Sequence, residues 1–197
     1  MNTKEIILAS ASPRRKELLK QLNINFEVIP SQIEENIDKE NFSPEMIEKL
    51  ALEKAQDVAD KINYPAVIIG ADTVVVIDNK ILGKPEDKEE AFQMLKLLSG
   101  RTHKVISAIA VIDKSINKQI TDHVVSEVTF KQLTDPEIRE YIETGEPMDK
   151  AGAYAIQGIG SKFISSISGC YSNIVGISIE KLAEMLKECQ IIVLKDY

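Results

Sequence analysis

The chain has 197 residues, 44% of them hydrophobic, which is enough for the core of one large domain or of two small lobes. Its formal net charge of −7 argues against general attraction to nucleic acid or to an anionic membrane. It contains no apolar segment long enough to span a bilayer. Its two cysteines and two histidines argue against a disulfide framework or a structural zinc site. We therefore expect a cytoplasmic globular protein with neither a nucleic-acid nor a membrane partner.

The first predicted element is a short buried strand at 6–8, followed by a helix that begins at Pro13 with Ser12 as its N-cap. The first turn of this helix carries three cations: Arg14, Arg15 and Lys16. Cations are unfavourable there, because the helix dipole is already positive at its N-terminus. An anion bound by the free N–H groups, the Ser10 hydroxyl and the arginines would explain the pattern, and phosphate suits those donors. A solvated basic turn explains it equally well.

The later elements are predicted from hydrophobic periodicity and from helix and turn signals. In chain order they are a strand at 25–30, a helix that begins at Pro44, a strand at 66–77, a return strand at 81–82, a helix at 87–98, strands at 104–112 and 120–130, a helix at 134–141, a loop at 148–160, a strand at 163–167 and a last helix at 178–189. The pattern therefore predicts an α/β protein.

Asp72 interrupts the apolar strand at 66–77. A carboxylate in such a run is costly unless it is paired, hydrogen-bonded or bound to a metal, so Asp72 is a candidate functional residue. A structural aspartate that binds a neighbouring backbone group is the alternative. The Asp78-Asn79 turn is expected to bring Lys84 towards Asp72 across a hairpin. Lys84 is then a candidate phosphate ligand, although a solvated lysine before a proline is equally ordinary.

Three stretches of the sequence match one known pattern: Leu8–Arg15, Gly70–Thr73 with Gly83–Pro85, and Asp149–Tyr154 with Gln157-Gly158. They resemble the Maf family of nucleoside triphosphate pyrophosphatases, once called septum-formation inhibitors. The resemblance runs from Ile6 to about Leu186, so it covers nearly the whole chain.

This resemblance implies an α/β fold similar to the inosine triphosphate pyrophosphatases, with a mixed twisted sheet flanked by helices and two lobes around a cleft. It also implies a single domain over residues 1–197, a homodimer, a divalent metal (Mg²⁺ or Mn²⁺), and hydrolysis between the α and β phosphates. Arg14, Thr73 and Gln157 match the subgroup that acts on dTTP and UTP. The alternative is a nucleotide-binding regulator of cell division or septum formation in which turnover is incidental.

The chemistry of the reaction suggests a role for each candidate that handles phosphate or metal. Arg14 and Arg15 can each donate a fork of hydrogen bonds to phosphate oxygens, and Lys54 and Lys84 can supply point charges. Glu35 and Asp72 offer the hard oxygen ligands that Mg²⁺ or Mn²⁺ prefers. Asp72 is the preferred general base, and Ser10 is a candidate phosphate ligand. Asp87 is a weaker metal candidate or a helix cap.

The base and metal roles of Asp72 compete, because a metal-bound carboxylate does not freely accept a proton. Gln157 has a donor and an acceptor and so can pair with a pyrimidine edge, while Thr73 shapes the same pocket or simply packs its methyl group. A loop glutamine bonded to the backbone is the alternative for Gln157. Modified pyrimidine triphosphates would satisfy the same contacts.

Overall fold

The computed structural model describes residues 4–33, 42–191 and 193 of the chain. Within them the strands are β1 (Glu5–Leu8), β2 (Glu27–Val28), β3 (Ala66–Ile77), β4 (Lys80–Leu82), β5 (Thr102–Asp113), β6 (Lys118–Phe130) and β7 (Ile164–Ser168). The helices are α1 (Pro13–Lys20), α2 (Pro44–Lys61), α3 (Lys88–Leu98), α4 (Asp135–Glu143), α5 (Tyr171–Val175) and α6 (Ile179–Glu188). Three short 3₁₀ turns lie at Glu146–Asp149, Ala151–Ala153 and Ile159–Phe163. No helix in these ranges is long and apolar enough to cross a membrane.

The strands form one mixed sheet in the order β2-β1-β3-β5-β6-β7, and β4 pairs with β3 beside that path. Strands β2, β1 and β3 run parallel, whereas the pairs from β3 to β7 and the β3–β4 hairpin are antiparallel. Helices pack on both faces of this sheet. The predicted mixed sheet flanked by helices is therefore confirmed.

The alternation of side chains along β3 divides the core between the two faces. On one face, Ile68 and Val74 pack against α2 through Ala51 and Ala55. The other face carries two separate clusters. One contains Ile69 and Ala71 with residues of α1 and α6, and the other contains Val75 and Ile77 with residues of α3 and α4.

The pairing of β3 leaves a gap along one of its edges. Strand β1 pairs with residues 66–69, and β4 pairs on the same edge with residues 75–77. Among the described residues, no strand pairs with that edge at residues 70–74. Because Asp72 and Thr73 occupy the gap, both side chains can reach a ligand that enters there.

The structure differs from the sequence-based prediction in three segments. Strand β2 is two residues long rather than six, because Pro30 has no N–H to extend the ladder after the Ile29 N–H has bonded to the Leu8 carbonyl. The predicted loop at 148–160 consists largely of 3₁₀ turns. An additional short helix, α5, precedes the last helix.

Candidate active site

A cleft of about 410 Å³ opens at the gap in β3. Four stretches line much of it: residues 9–15, the β3 residues Asp72 and Thr73, residues 149–157 in part, and residues 174–176. All the predicted site residues in the described part of the chain except the weaker candidate Asp87 line this cleft: Ser10, Arg14, Arg15, Lys54, Asp72, Thr73, Lys84 and Gln157. Glu35 lies outside the described residues. The cleft therefore brings together the cations of α1 and the carboxylate of β3, while their individual roles stay predictions.

The start of α1 has the geometry of an anion-binding helix end. Ser12 is the N-cap, and its hydroxyl accepts a hydrogen bond from the Arg15 N–H at 3.4 Å. The Ser10 hydroxyl accepts from the Ser12 N–H at 3.3 Å, which holds the loop before the helix. The first turn contains no acidic residue, so its positive end faces the cleft without internal neutralisation.

Arg15 connects three segments of the cleft wall. Its Nε donates to the Gly176 carbonyl at 3.0 Å, and its two terminal nitrogens donate to the hydroxyls of Ser10 at 3.2 Å and Thr73 at 3.1 Å. The sequence predicted a guanidinium that binds phosphate oxygens. The structure adds a second use for the same group, because these hydrogen bonds fix the guanidinium against the protein.

Thr73 belongs to the same polar network. Its hydroxyl oxygen lies 2.8 Å from the Ser107 hydroxyl and 3.0 Å from the Gly176 carbonyl. The Ser107 hydroxyl in turn donates to the carbonyl of Asn173 at 2.9 Å. Thr73 therefore lines the cleft through a hydroxyl that is already engaged, and this favours its predicted role in shaping the pocket.

Asp72 lies on the opposite face of β3, where it forms a buried ion pair. Its Oδ1 accepts from the Lys54 Nζ at 2.6 Å, and the two side chains are 7% and 9% exposed respectively. Gly70 makes this contact possible, because a Cβ there would lie 2.1 Å from the Ala51 carbonyl oxygen. A larger residue at position 70 would push α2, and Lys54 with it, away from the strand.

The β3–β4 hairpin brings Lys84 to the cleft. Its register pairs Val76 with Ile81, and Asp78 and Asn79 adopt the positive φ angles of 50° and 63° that a tight two-residue turn requires. The following Gly83 carbonyl accepts from the Gly152 N–H at 3.0 Å. The hairpin is therefore tied directly to the segment that follows α4.

That segment supplies cleft residues to which the sequence analysis gave no role. Asp149 and Lys150 form an ion pair, and both line the cleft. The Lys150 ammonium, assisted by the charge of Arg14, holds the pKa of the Asp149 carboxyl below its usual value despite partial burial. Both residues lie inside the motif Asp149–Tyr154. The sequence alone, however, gave no reason to assign these two a function that the small residues of the motif lack.

Tyr154 lines the cleft and carries a buried partner behind it. Its hydroxyl lies 2.7 Å from the Nε2 of His103, a residue that is 2% exposed. Burial lowers the pKa of His103 to about 4, so its imidazole is neutral at physiological pH. The Nδ1 of His103 has no hydrogen-bond partner among the described residues.

Asp87 and a small acidic cluster lie outside the cleft. Asp87 caps α3 by accepting from the Glu90 N–H at 2.8 Å, so the helix-cap interpretation is the one that its contacts support. Glu48, Asp122 and His123 have ligand atoms within 4.8 Å of one another and form the one such cluster found in the described ranges. Glu48 already binds His123 at 2.6 Å, and Asp122 binds Lys181 at 3.0 Å, so internal contacts account for the cluster.

Comparison with known proteins gives a consistent result. The family model described as Maf-like protein matches residues 5–189. A dTTP/UTP pyrophosphatase of Alkaliphilus oremlandii is 55% identical over 184 residues, which are 93% of this chain and 95% of that protein. One from Desulforamulus reducens is 53% identical over 182 residues, with coverage of 92% and 95%. A HAM1 protein from Coxiella burnetii has a similar fold, with a TM-score of 0.50 at 17% identity over 94% of this chain and all of the other.

Proposed function

This chain belongs to the Maf family, and from that premise we propose that it hydrolyses dTTP and UTP to the nucleoside monophosphate and pyrophosphate. Modified pyrimidine triphosphates of the same shape would be further substrates. The observation that carries the proposal is that Arg14 and Asp72, 58 positions apart in the sequence, line one cleft. The two relatives named dTTP/UTP pyrophosphatase support the choice of substrate.

The phosphates would bind at the positive end of the cleft. A triphosphate concentrates several negative charges, and its hydrolysis requires that those charges be neutralised in position. The N–H groups at the start of α1 and the side chains of Arg14, Lys84 and Lys150 line the cleft where they can do this. The guanidinium of Arg15, held by hydrogen bonds to Ser10, Thr73 and Gly176, adds fixed positive charge without having to be ordered on binding.

Asp72 is the proposed general base. Its contact with Lys54 uses Oδ1, so we assign Oδ2 to the proton of the attacking water. The water oxygen would bond to the α phosphorus while the bond from that phosphorus to the bridging oxygen breaks, and pyrophosphate leaves with the bonding electrons. Lys54 would hold the carboxylate in place for this step and balance its charge in a buried position.

The donors in the cleft fit a hard divalent cation. The carboxylates of Asp72 and Asp149 both line it, and carboxylate oxygens are the ligands that Mg²⁺ and Mn²⁺ prefer. Asp72 would hold the ion, together with Glu35 from outside the described residues. When bound, the ion would neutralise charge on the phosphate oxygens. If Asp72 serves mainly as the ligand, the base must be another group or a water.

The pyrimidine ring of the substrate would lie at the other end of the cleft, beside Gln157. This side chain is exposed towards the cleft, and its amide can donate one hydrogen bond and accept another, as the edge of uracil or thymine requires. Thr73, through its bonds to Ser107 and Gly176, would fix the width of the pocket rather than contact the base.

The assembly and the location of the protein are further parts of the proposal. From the family resemblance we expect one domain over residues 1–197, a homodimer and a cytoplasmic location. Light scattering on the purified chain measures its molar mass in solution and so tests the homodimer. A monomeric mass at the working concentration would contradict it.

The proposal is tested with a panel of triphosphates: dTTP, UTP, dCTP, ATP and GTP, each with Mg²⁺ or Mn²⁺ and with pyrophosphate detection. We expect the fastest pyrophosphate release from dTTP and UTP, and loss of the activity when the metal is chelated. No release of pyrophosphate from any triphosphate would refute the proposed hydrolytic activity. Tight UTP binding without release would instead favour the regulator.

A further inference from the structure

Glu146 lies outside the cleft lining and binds both α4 and the loop that follows the cleft residue Gln157. It begins the 3₁₀ turn Glu146–Asp149 and is partly buried. Its Oε1 accepts from the Tyr141 hydroxyl at 2.8 Å and from the Gly160 N–H at 2.9 Å, and its Oε2 accepts from the Ile159 N–H at 3.0 Å. One carboxylate therefore receives two backbone N–H groups of the loop that follows Gln157.

The loop backbone is shaped around this carboxylate. Gly158 has a φ of +92°, a conformation that favours glycine, and a Cβ there would lie 2.7 Å from the Glu146 Oε2. A Cβ on Gly160 would lie 2.6 Å from the Tyr141 hydroxyl oxygen. Both glycines are therefore required for the loop to approach Glu146 and its partner so closely.

The turn that begins with Glu146 leads directly to a second cleft residue. The Pro147 carbonyl, one residue after Glu146, accepts from the Lys150 N–H at 3.1 Å. Lys150 and Gln157 both line the cleft, and Gln157 comes immediately before the loop that Glu146 binds. A shift of Glu146 would consequently move Gln157 relative to the phosphate-binding groups.

We propose that Glu146 is a positioning residue for base recognition: its carboxylate holds residues 158–160 so that the Gln157 amide is presented to the pyrimidine edge. This inference rests on the proposed function, because it assumes that Gln157 reads the base. Glu146 itself does not line the cleft.

The charge state of Glu146 agrees with this role. Burial by itself raises the pKa of the carboxyl, but the hydrogen bonds from Gly160, Ile159 and Tyr141 outweigh that effect and the net pKa is lowered. The carboxylate is therefore ionised at neutral pH. A glutamine in its place would turn an NH₂ group towards a backbone N–H, so one of the loop contacts would be lost and replaced by a repulsive one.

The experiment measures binding of α,β-imido-UTP, which cannot be cleaved at the α–β bridge, and of inorganic tripolyphosphate, both with Mg²⁺. We expect Glu146→Gln to weaken binding of the UTP analogue by about tenfold, the value of one or two hydrogen bonds, and to leave tripolyphosphate binding within about twofold. Glu143→Gln, which removes an exposed charge at the end of α4 that is paired with Lys88 of α3, is the matched control and should change neither.

A double-mutant cycle with Gln157→Ala separates positioning from general destabilisation. If Glu146 acts through Gln157, Glu146→Gln should have little further effect in the Gln157→Ala background. Equal weakening in both backgrounds, or equal weakening of tripolyphosphate, would overturn the inference. Should Glu146→Gln fail to fold, Glu146→Asp enters the same cycle, since it keeps the charge but is too short to reach both segments.

The experiment measures binding and not turnover. The role of Glu146 can therefore be tested even if the protein does not hydrolyse the nucleotide. An active wild type with an additive cycle would refute the role of Glu146 alone. A wild type that does not bind the UTP analogue would overturn both proposals.

Discussion

The ion pair between Lys54 and Asp72 makes Asp72→Asn a test of both stability and catalysis. The substitution leaves the Lys54 ammonium, whose side chain is 9% exposed, beside a neutral amide. Removing one partner of a buried pair costs about 3–5 kcal/mol, and we expect about 3 here because the asparagine oxygen can still accept a hydrogen bond from Nζ. For a chain of this size the melting temperature should fall by about 6–12 °C.

A second variant shows whether that loss arises from removing one charge of the pair and leaving the other. Lys54→Met combined with Asp72→Asn removes both charges, and we expect its unfolding free energy to return to within about 1 kcal/mol of the wild type. Pyrophosphate release should stay at least about 100-fold below the wild type in both variants, because the proposed base is absent. Stability is measured by urea unfolding and activity by pyrophosphate release from dTTP.

Two results would refute this reasoning. An Asp72→Asn protein as stable as the wild type would mean that the ion pair does not hold α2 against β3 in the way described. A full rate of pyrophosphate release in Asp72→Asn would remove Asp72 from the role of base, whatever happened to stability.

The remaining predictions concern the phosphate end of the cleft, the buried histidine and the close approach of α2. Arg14→Ala should weaken UTP binding by about 10–100-fold and reduce the nucleotide-induced rise in melting temperature. Lys16→Ala, in the same turn but outside the cleft, should change neither quantity. Equal effects of the two substitutions would mean that the turn is an ordinary solvated basic surface. Because the pKa of His103 falls from 6.5 unfolded to about 4 folded, its contribution is fully present above pH 6.5 and is lost as the pH falls towards 4, by about 3 kcal/mol in total. The unfolding free energy of His103→Gln should therefore depend less on pH across that range than that of the wild type, and identical slopes would contradict the assignment. Gly70→Ala, whose Cβ would lie 2.1 Å from a backbone oxygen of α2, should lose activity and several kcal/mol of stability, whereas Gly145→Ala, with nothing within 4 Å, should lose only about 1 kcal/mol from its positive φ; equal losses would argue against the close approach.

Local chemistry explains which elements the sequence predicted. The helix at Pro13 follows from the cap at Ser12 and the fixed φ of proline, and the tight hairpin follows from Asp78 and Asn79, two residues that tolerate positive φ. The strand at 66–77 follows from an apolar run that only residues 70–73 interrupt, since it is covered on both faces. These features depend on neighbours within a few positions, so a single sequence contains them.

The partners of the site residues depend on tertiary structure and were not predicted. Lys54 and Asp72 are 18 positions apart, and their contact requires the close approach of α2 that Gly70 allows. Arg15 was expected to bind phosphate, and nothing local showed that it would also bind Gly176, 161 positions away. Lys54 was expected to supply positive charge to phosphate, and nothing local showed that it would also pair with Asp72.

The sequence of the loop after α4 predicted that the segment is functional but did not predict its contacts. Its small residues predicted a functional segment, yet the sequence did not show that Glu146 would bind the loop or that Lys150 would reach the cleft. Glycines at 158 and 160 were the available signal, because closely spaced glycines often mark an approach of the backbone to another group.

A crystal structure with α,β-imido-UTP and Mg²⁺ would decide whether the cations of α1 and the carboxylate of β3 act on one polyphosphate. We expect the triphosphate to lie in the cleft with its oxygens against Arg14 and the start of α1, its α phosphorus beside Asp72, and the uracil edge against Gln157. A nucleotide bound elsewhere on the molecule, or bound in the cleft with its α phosphorus out of reach of Asp72, would contradict the proposed function.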